Sequence, residues 1–188
     1  MQSTDKFIVT PKGGNHFVNE RKVGGQMMVV NTSIENAKDV NREGIIVSLP
    51  LEYSGNIKVG DEVVLHHNIF RDYFDMKMVT RKSTYHIKDN LFLVPDGLIY
   101  LIKKENGYVA VDDYCFIEPI FEIDRWIGKQ EKEHIGTVKY GNNLLEEIGI
   151  HEGDTIAFEK DGEYEFIIDD LRLYRMRAEM ILALIPAY

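Results

Sequence analysis

Three groups of side chains in this chain are of a kind that does chemistry. His66-His67 with His86 is the first. Neutral imidazole is a common ligand for transition metals. Zinc sites usually combine Cys, His and carboxylates at tighter spacing, and no second cluster follows these histidines, so no metal is expected. Cys115 is the second. It is the one cysteine of the chain, so no intrachain disulfide can form. It sits in the apolar run Tyr114-Cys115-Phe116-Ile117, where a thiol behaves as a small buried hydrophobe. A nucleophilic cysteine needs a nearby base and an electropositive setting, which this run does not supply. The third group is Asp61 with Asp154, two carboxylates that could divide acid and base work. Each stands behind a glycine in a matching context, which reads as a turn cap. No Gly-rich phosphate cradle, nucleophile elbow or His-Glu-x-x-His motif is present. The expectation is a protein that is no enzyme and takes no cofactor.

The matching context is a repeat. The first copy reads Gly44-Ile45-Ile46-Val47, a turn region, then Ile57-Lys58-Val59-Gly60-Asp61-Glu62-Val63-Val64-Leu65. The second reads Gly136-Thr137-Val138, a turn region, then Ile150-His151-Glu152-Gly153-Asp154-Thr155-Ile156-Ala157-Phe158. Gly60 and Gly153 can take a positive φ, and Asp61 and Asp154 can hydrogen-bond nearby backbone N–H groups. The apolar residues behind each pair alternate or run together as core strands do. Closing apolar strands follow in both halves: Leu98-Ile99-Tyr100-Leu101-Ile102 and Ile181-Leu182-Ala183-Leu184-Ile185. The interval before closure is longer in the first half, where the aromatic-bearing residues 66–83 read as an insertion or long hairpin. The expected fold class is all-β, as two tandem small barrel units over 1–106 and 107–188.

Composition bounds the function. The 188 residues are 44% hydrophobic and 28% charged, as in globular domains. The formal net charge of -9 argues against a nucleic-acid binder held by phosphates and against docking on anionic lipid. No apolar run approaches the roughly 20 residues that span a bilayer. Met1 to Lys6 lacks the apolar core of a signal peptide. A cytoplasmic protein is expected.

Lys6 to Thr10 reads as a first strand, stopped by Pro11 and by Gly13-Gly14. Residues 11–41 then form a long polar, glycine-punctuated connection, and loops of that length tend to be functional or mobile. It holds one apolar island, Met27-Met28-Val29-Val30, directly after Gly24-Gly25-Gln26. Tyr85-His86-Ile87 and Leu91 to Val94 read as strands around an Asp89-Asn90 turn, and Asn106-Gly107 as a hairpin turn. Asp124 to Glu133 reads as a polar link in the second half. It carries Trp126, the one tryptophan, expected as a plug between units or an oligomer contact.

These residues resemble the GroES-like co-chaperonins. Gly136-Thr137-Val138, Gly153-Asp154-Thr155-Ile156-Ala157-Phe158 and Ile181 to Ile185 are similar to the family's G-x-V, V-G-D-x-V-x-F and D-I-L-A-I-V signatures, and the first half repeats the pattern. Family members carry a glycine-rich mobile loop whose apolar tip docks on a chaperonin. Gly24, Gly25, Met27, Met28, Val29 and Val30 resemble that tip, in a loop the second half lacks. The resemblance implies a GroEL-type chaperonin as partner, a homo-oligomeric ring, and a cap that assists folding without chemistry. The chain departs from the family in its tandem units, its short Val47–Ile57 stretch and its insertion 66–83. A divergent member, phage-encoded and acting in the host cytoplasm, would fit.

Two other readings stand beside this one. The island Met27 to Val30 could be an ordinary core strand. The barrels could serve a structural or virion assembly protein with no chaperonin partner, using Phe70, Tyr73 and Phe74 of the insertion as a standing interface. A small-ligand binding barrel is weaker still. The terminal strands 98–102 and 181–185 are apolar edges that need covering, by a neighbouring subunit or by the first strand of a unit.

Overall fold

A computed structural model describes residues 2–18, 20–23, 26–29, 39–126, 128–160 and 162–186. Gly24, Gly25 and Val30 of the expected tip lie outside the described residues. The chain divides into two compact units, Met1–Asn106 and Gly107–Tyr188.

Unit 1 runs through β1 (Phe7–Pro11), β2 (Glu20–Val23), β3 (Gln26–Val29), β4 (Glu43–Ser48), β5 (Glu62–Leu65), β6 (Tyr73–Phe74), β7 (Thr80–Arg81), β8 (His86–Lys88), β9 (Leu91–Val94) and β10 (Ile99–Lys104). Its main sheet is antiparallel, with neighbours in the order β10-β5-β4-β1-β9-β8. Unit 2 holds β11 (Gly107–Ala110), β12 (Tyr114–Asp124), β13 (Gly128–Tyr140), α1 (Asn143–Glu147), β14 (Thr155–Phe158), β15 (Tyr164–Ile168), β16 (Leu171–Arg177) and β17 (Ile181–Ile185). Its sheet runs β17-β14-β13-β12-β16-β15. The protein is all-β, and strand for strand the two orders are the same.

Registers match as well. In unit 1, β1 meets β4 with Val9 opposite Ile46 and Pro11 opposite Gly44. In unit 2, β12 meets β13 with Ile117 opposite Val138 and Pro119 opposite Gly136. The two Gly-Asp turns make the same bonds. The Gly60 N–H donates to Ile46 O at 2.8 Å, and the Gly153 N–H to Val138 O at 2.8 Å. Asp61 Oδ2 accepts the Lys58 N–H at 2.9 Å, and Asp154 Oδ2 the His151 N–H at 2.8 Å. Gly60 and Gly153 have φ of 91° and 94°, the left-handed region that glycine enters without a Cβ clash. A single 3-10 turn precedes each closing strand, at Asp96–Leu98 and Ala178–Met180.

Apolar alternation explains the cores. Phe7 and Val9 of β1, Ile46 of β4, Val63 and Leu65 of β5, and Phe92 and Val94 of β9 are buried in unit 1. In unit 2, Cys115, Ile117, Val138, Ile156, Phe158 and Met176 cluster with Leu145 of α1. Asn142 caps α1 by accepting the Leu145 N–H at 2.9 Å, while its Nδ2 donates to Tyr114 O at 2.8 Å. Neither sheet closes into a barrel among the described residues, so the expected barrels are seen as open antiparallel sheets.

The units differ in what their strands carry. Residues 66–83 of unit 1 contain the β6–β7 hairpin, where only five residues of sequence separate β14 from β15 in unit 2. Phe70 is fully buried, whereas Tyr73 and Phe74 are exposed, so the insertion is anchored by one of the aromatics expected at an interface.

Candidate functional site

The segment between β1 and β4 is built from a stapled base outward. Lys12 opens it in a 3-10 turn with Gly13 and Gly14 at positive φ. Lys12 Nζ reaches Glu43 at 2.7 Å and Glu62 at 2.9 Å. The hydrogen bond to Glu43 leads in raising the Lys12 pKa, and the bond from Lys12 leads in lowering that of Glu62. Asn41 closes the base from the other end. Its Nδ2 donates to Lys12 O and Asn15 O at 3.0 and 2.9 Å, and its Oδ1 accepts the Glu43 N–H at 2.9 Å. The Asn41 N–H donates to His16 O and the Val18 N–H to Asp39 O, each at 2.8 Å, around a bridge between Phe17 and Val40.

A polar cluster fastens this base to the rest of unit 1. His16 Nε2 donates to Asn90 Oδ1 at 2.7 Å, in the turn between β8 and β9. His16 Nδ1 stands 3.4 Å from Asp72, which also receives Lys82 Nζ at 3.2 Å. Asp72 and Lys82 both belong to the insertion. Asp72 is buried, and such a carboxylate needs partners of this kind. The insertion therefore buttresses the segment, a role invisible in the sequence because 56 residues separate His16 from Asp72.

Beyond the base, β2 and β3 pair antiparallel as a hairpin, with Arg21 opposite Met28 and Lys22 opposite Met27. This two-stranded sheet stands apart from the main sheet among the described residues. Met27, Met28 and Val29 are thus placed on a hairpin strand and not in the core sheet.

Unit 2 has a projection at the same topological position. Past Pro119, β12 and β13 continue as a hairpin pairing Phe121 with Glu131 and Asp124 with Gly128. A bulge at 132–135 interrupts the register, and His134 there has φ of 59°. The stretch read as a polar link, Asp124 to Glu133, holds this hairpin's turn and the start of β13. Ile123 is 86% exposed and Trp126 94% exposed. Lys129 Nζ lies over the Phe121 ring at 4.2 Å. Where the sequence gives the first half alone a glycine-rich loop, unit 2 carries this hairpin. The signal was available in the alternation of Phe121 and Ile123 with charged neighbours.

At the root of that hairpin, Arg172 donates to Glu131 and Glu165, each at 2.8 Å, and the Tyr174 hydroxyl donates to Glu131 at 2.6 Å. Burial, then the bond to Glu131, pushes the Tyr174 phenol up to about 12. An open cleft of 260 Å³ lies beside it, lined by Glu133, His134, Lys160 and Glu163.

The remaining candidates lie elsewhere. His66 stacks on His67 at 4.2 Å, and His66 Nδ1 accepts the Asn68 N–H at 3.0 Å. His86 Nε2 donates to Asp89 O at 2.9 Å. Among the described residues, no three His, Cys, Asp or Glu side chains gather as a metal site would require. Burial pushes the Cys115 thiol up to about 12, with the Asp113 charge adding to it. Asp61 Oδ2 also meets Lys104 Nζ at 2.6 Å. Asp61 and Asp154 sit in different units, each in its own turn. No protein-family model matches the chain, and no curated protein matches its sequence.

Proposed function

We propose that the protein is a co-chaperonin-like cap, built of two tandem GroES-like units, that docks on a GroEL-type chaperonin through the β2–β3 hairpin. One observation carries this reading: an apolar strand, Met27-Met28-Val29, held on a hairpin outside the main sheet above a base stapled by Asn41 and His16. A core strand would instead join the main ladder. The docking residues are Gly24, Gly25 and Met27 to Val30. Each tip binds weakly. Burying three or four apolar side chains contributes about 1.5–3 kcal/mol each, and ordering the segment offsets much of it. A homo-oligomeric ring presents several tips and so raises effective concentration, while any one tip still releases. No step involves bond making, and no cofactor takes part.

The test is to measure melting and chaperonin binding on Met28→Asp and Val29→Asp. Docking predicts lost binding with an unchanged thermal midpoint, because an unpaired carboxylate is driven into an apolar groove. Two stable variants that bind like the parent would sink the assignment. A second reading, an assembly protein reusing the same units, is favoured by the exposed Ile123 and Trp126 at the unit 2 hairpin. Negative-stain microscopy with and without chaperonin and nucleotide separates the two.

A further inference from the structure

Two surface features of this chain complement each other. The first is the tip of the β6–β7 hairpin. Asp75 Oδ1 accepts the Lys77 and Val79 N–H groups at 2.8 and 3.0 Å, and its Oδ2 accepts Arg81 Nε at 3.0 Å. The Asp75 N–H closes the turn on Val79 O at 3.0 Å. The turn so held displays Met76-Lys77-Met78, with all three side chains exposed. Residues 71–82 carry Arg71, Lys77, Arg81 and Lys82 against Asp72 and Asp75, a basic patch on a chain of net charge -9. Arg81 and Lys82 are engaged by Asp75 and Asp72. Lys77 is the cation that the tip presents.

The second feature is the cleft of unit 2. Phe158 and Tyr174 give it an apolar wall. Glu131 is met by Arg172, which leaves Glu133 and Glu163 against the exposed Lys160. Glu163 Oε2 and His134 Nδ1 are buried without a hydrogen-bond partner among the described residues. Buried polar groups are normally hydrogen-bonded, and each exception calls for a partner. At 260 Å³ the cleft is smaller than most small-ligand pockets, which span about 300–1,000 Å³. Inserted side chains suit it better.

We propose that the Met76-Lys77-Met78 tip of one copy of this chain inserts into the unit 2 cleft of another, with Lys77 Nζ donating to Glu163 and His134. An ammonium has three N–H donors, and both unpartnered atoms can accept. The flanking thioethers pack against the Phe158 and Tyr174 rings, a favourable contact for a flexible, polarizable side chain. Charge argues for a second copy as the occupant. Copies of an acidic chain repel where like surfaces meet, and a basic tip facing an acidic cleft is a place where they attract. Tip and cleft are different surfaces, so the contact is heterologous and runs head to tail. Such contacts make a ring when the rotation closes. The contact therefore gives the proposed ring a joint, and rests on that reading only for closure. One tip is a small contact. Closure, in which every copy gives one tip and takes one, adds strength through effective concentration.

A zero-length carbodiimide, which joins an amine to a touching carboxylate, tests this with no chaperonin present. The expected product is a covalent dimer on a denaturing gel, with Lys77 joined to Glu163 or Glu133 by mass spectrometry of the excised band. Lys77→Glu should weaken association by about tenfold or more, the scale of one close charge pair, as read by analytical ultracentrifugation. Met76→Asp should weaken it as well. Both should leave the thermal midpoint unchanged, since both side chains are exposed. Lys77→Glu combined with Glu163→Lys should recover association, which a merely structural role for either residue would not give. Lys77 linked only within the monomer band overturns the contact. So do Lys77→Glu and Met76→Asp proteins that associate like the parent. An oligomer that forms with Lys77 unlinked removes this joint and leaves the ring standing, whereas a parent that stays monomeric removes both.

Discussion

His16 Nε2 stands 2.7 Å from Asn90 Oδ1, and the other end of that amide donates to Gly14 O at 2.8 Å. The two bonds fix each other: the amide can face only one way, and Nε2 is the donor toward it. Nδ1 is left toward Asp72 and Lys82. A turn of the main sheet thereby holds the foot of a projecting hairpin.

Removing that hold should loosen the foot before it unfolds the unit. Asn90→Ala deletes both bonds. A buried donor left unsatisfied costs about 1–3 kcal/mol. The expected result by hydrogen exchange is faster exchange at the Val18 and Asn41 amides, with the β1 and β4 amides protected as before. Uniform loss of protection across unit 1 would contradict this.

Burial, with the charges of His66, Arg42 and Arg71 adding to it, depresses His67 from 6.5 to about 4. The folded protein therefore binds fewer protons at this ring than the unfolded chain does between those values, and stability rises with pH across that window. It is fully present above pH 6.5 and lost as the pH falls toward 4. His67→Gln should remove on the order of 1 kcal/mol of this dependence, a discounted figure because the ring keeps part of its hydration. Denaturant melts of parent and variant at pH 7 and pH 4.5 check it; parallel losses would refute the assignment.

A Cβ added at Gly44 would fall 2.5 Å from Val9 Cγ1 and 2.9 Å from Leu65 Cδ1, and one added at Gly136 would strike Ile117 Cγ2 and Glu118 O. Gly44→Ala and Gly136→Ala should each cost about 1–3 kcal/mol by overpacking. Gly97→Ala, where a Cβ meets open space, should stay within about 0.5 kcal/mol. Thermal melts of the three variants decide whether the two glycines share one role.

Cys115 should be silent to thiol reagents at pH 8 in the folded protein, because its thiol is both buried and pushed up to about 12. Reaction should appear only with denaturant, at a rate tracking unfolding. Prompt labelling of the native protein would show that β12 opens locally.

The repeat was legible because its signals are local. Gly60-Asp61 and Gly153-Asp154 announce their turns by residue type, and the apolar alternation around them fixes which residues enter the core. The Asp89-Asn90 turn was readable for the same reason. The projecting hairpin of unit 2 was harder to read, because Pro119 precedes the alternation of Phe121 and Ile123 that signals it. Proline normally ends a ladder, yet here β12 runs through it opposite Gly136 and resumes beyond. Which of the two apolar closing strands stays exposed was hidden, since 98–102 and 181–185 read alike, yet β10 is buried and Leu182 and Leu184 of β17 are exposed. The bond from His16 to Asn90 spans 74 residues and leaves no local trace.

Pro11 opposite Gly44 and Pro119 opposite Gly136 mark one spot in each unit where the chain leaves the sheet and comes back. The ladder is complete below that spot in both cases. What lies above it differs in length, in sequence and in the way it is braced, yet the sheets beneath have kept the same order. The pair acts as a socket: one scaffold accepts unrelated inserts, so the two heads of this molecule can diverge, or be exchanged by hand, while the framework that carries them stays the same.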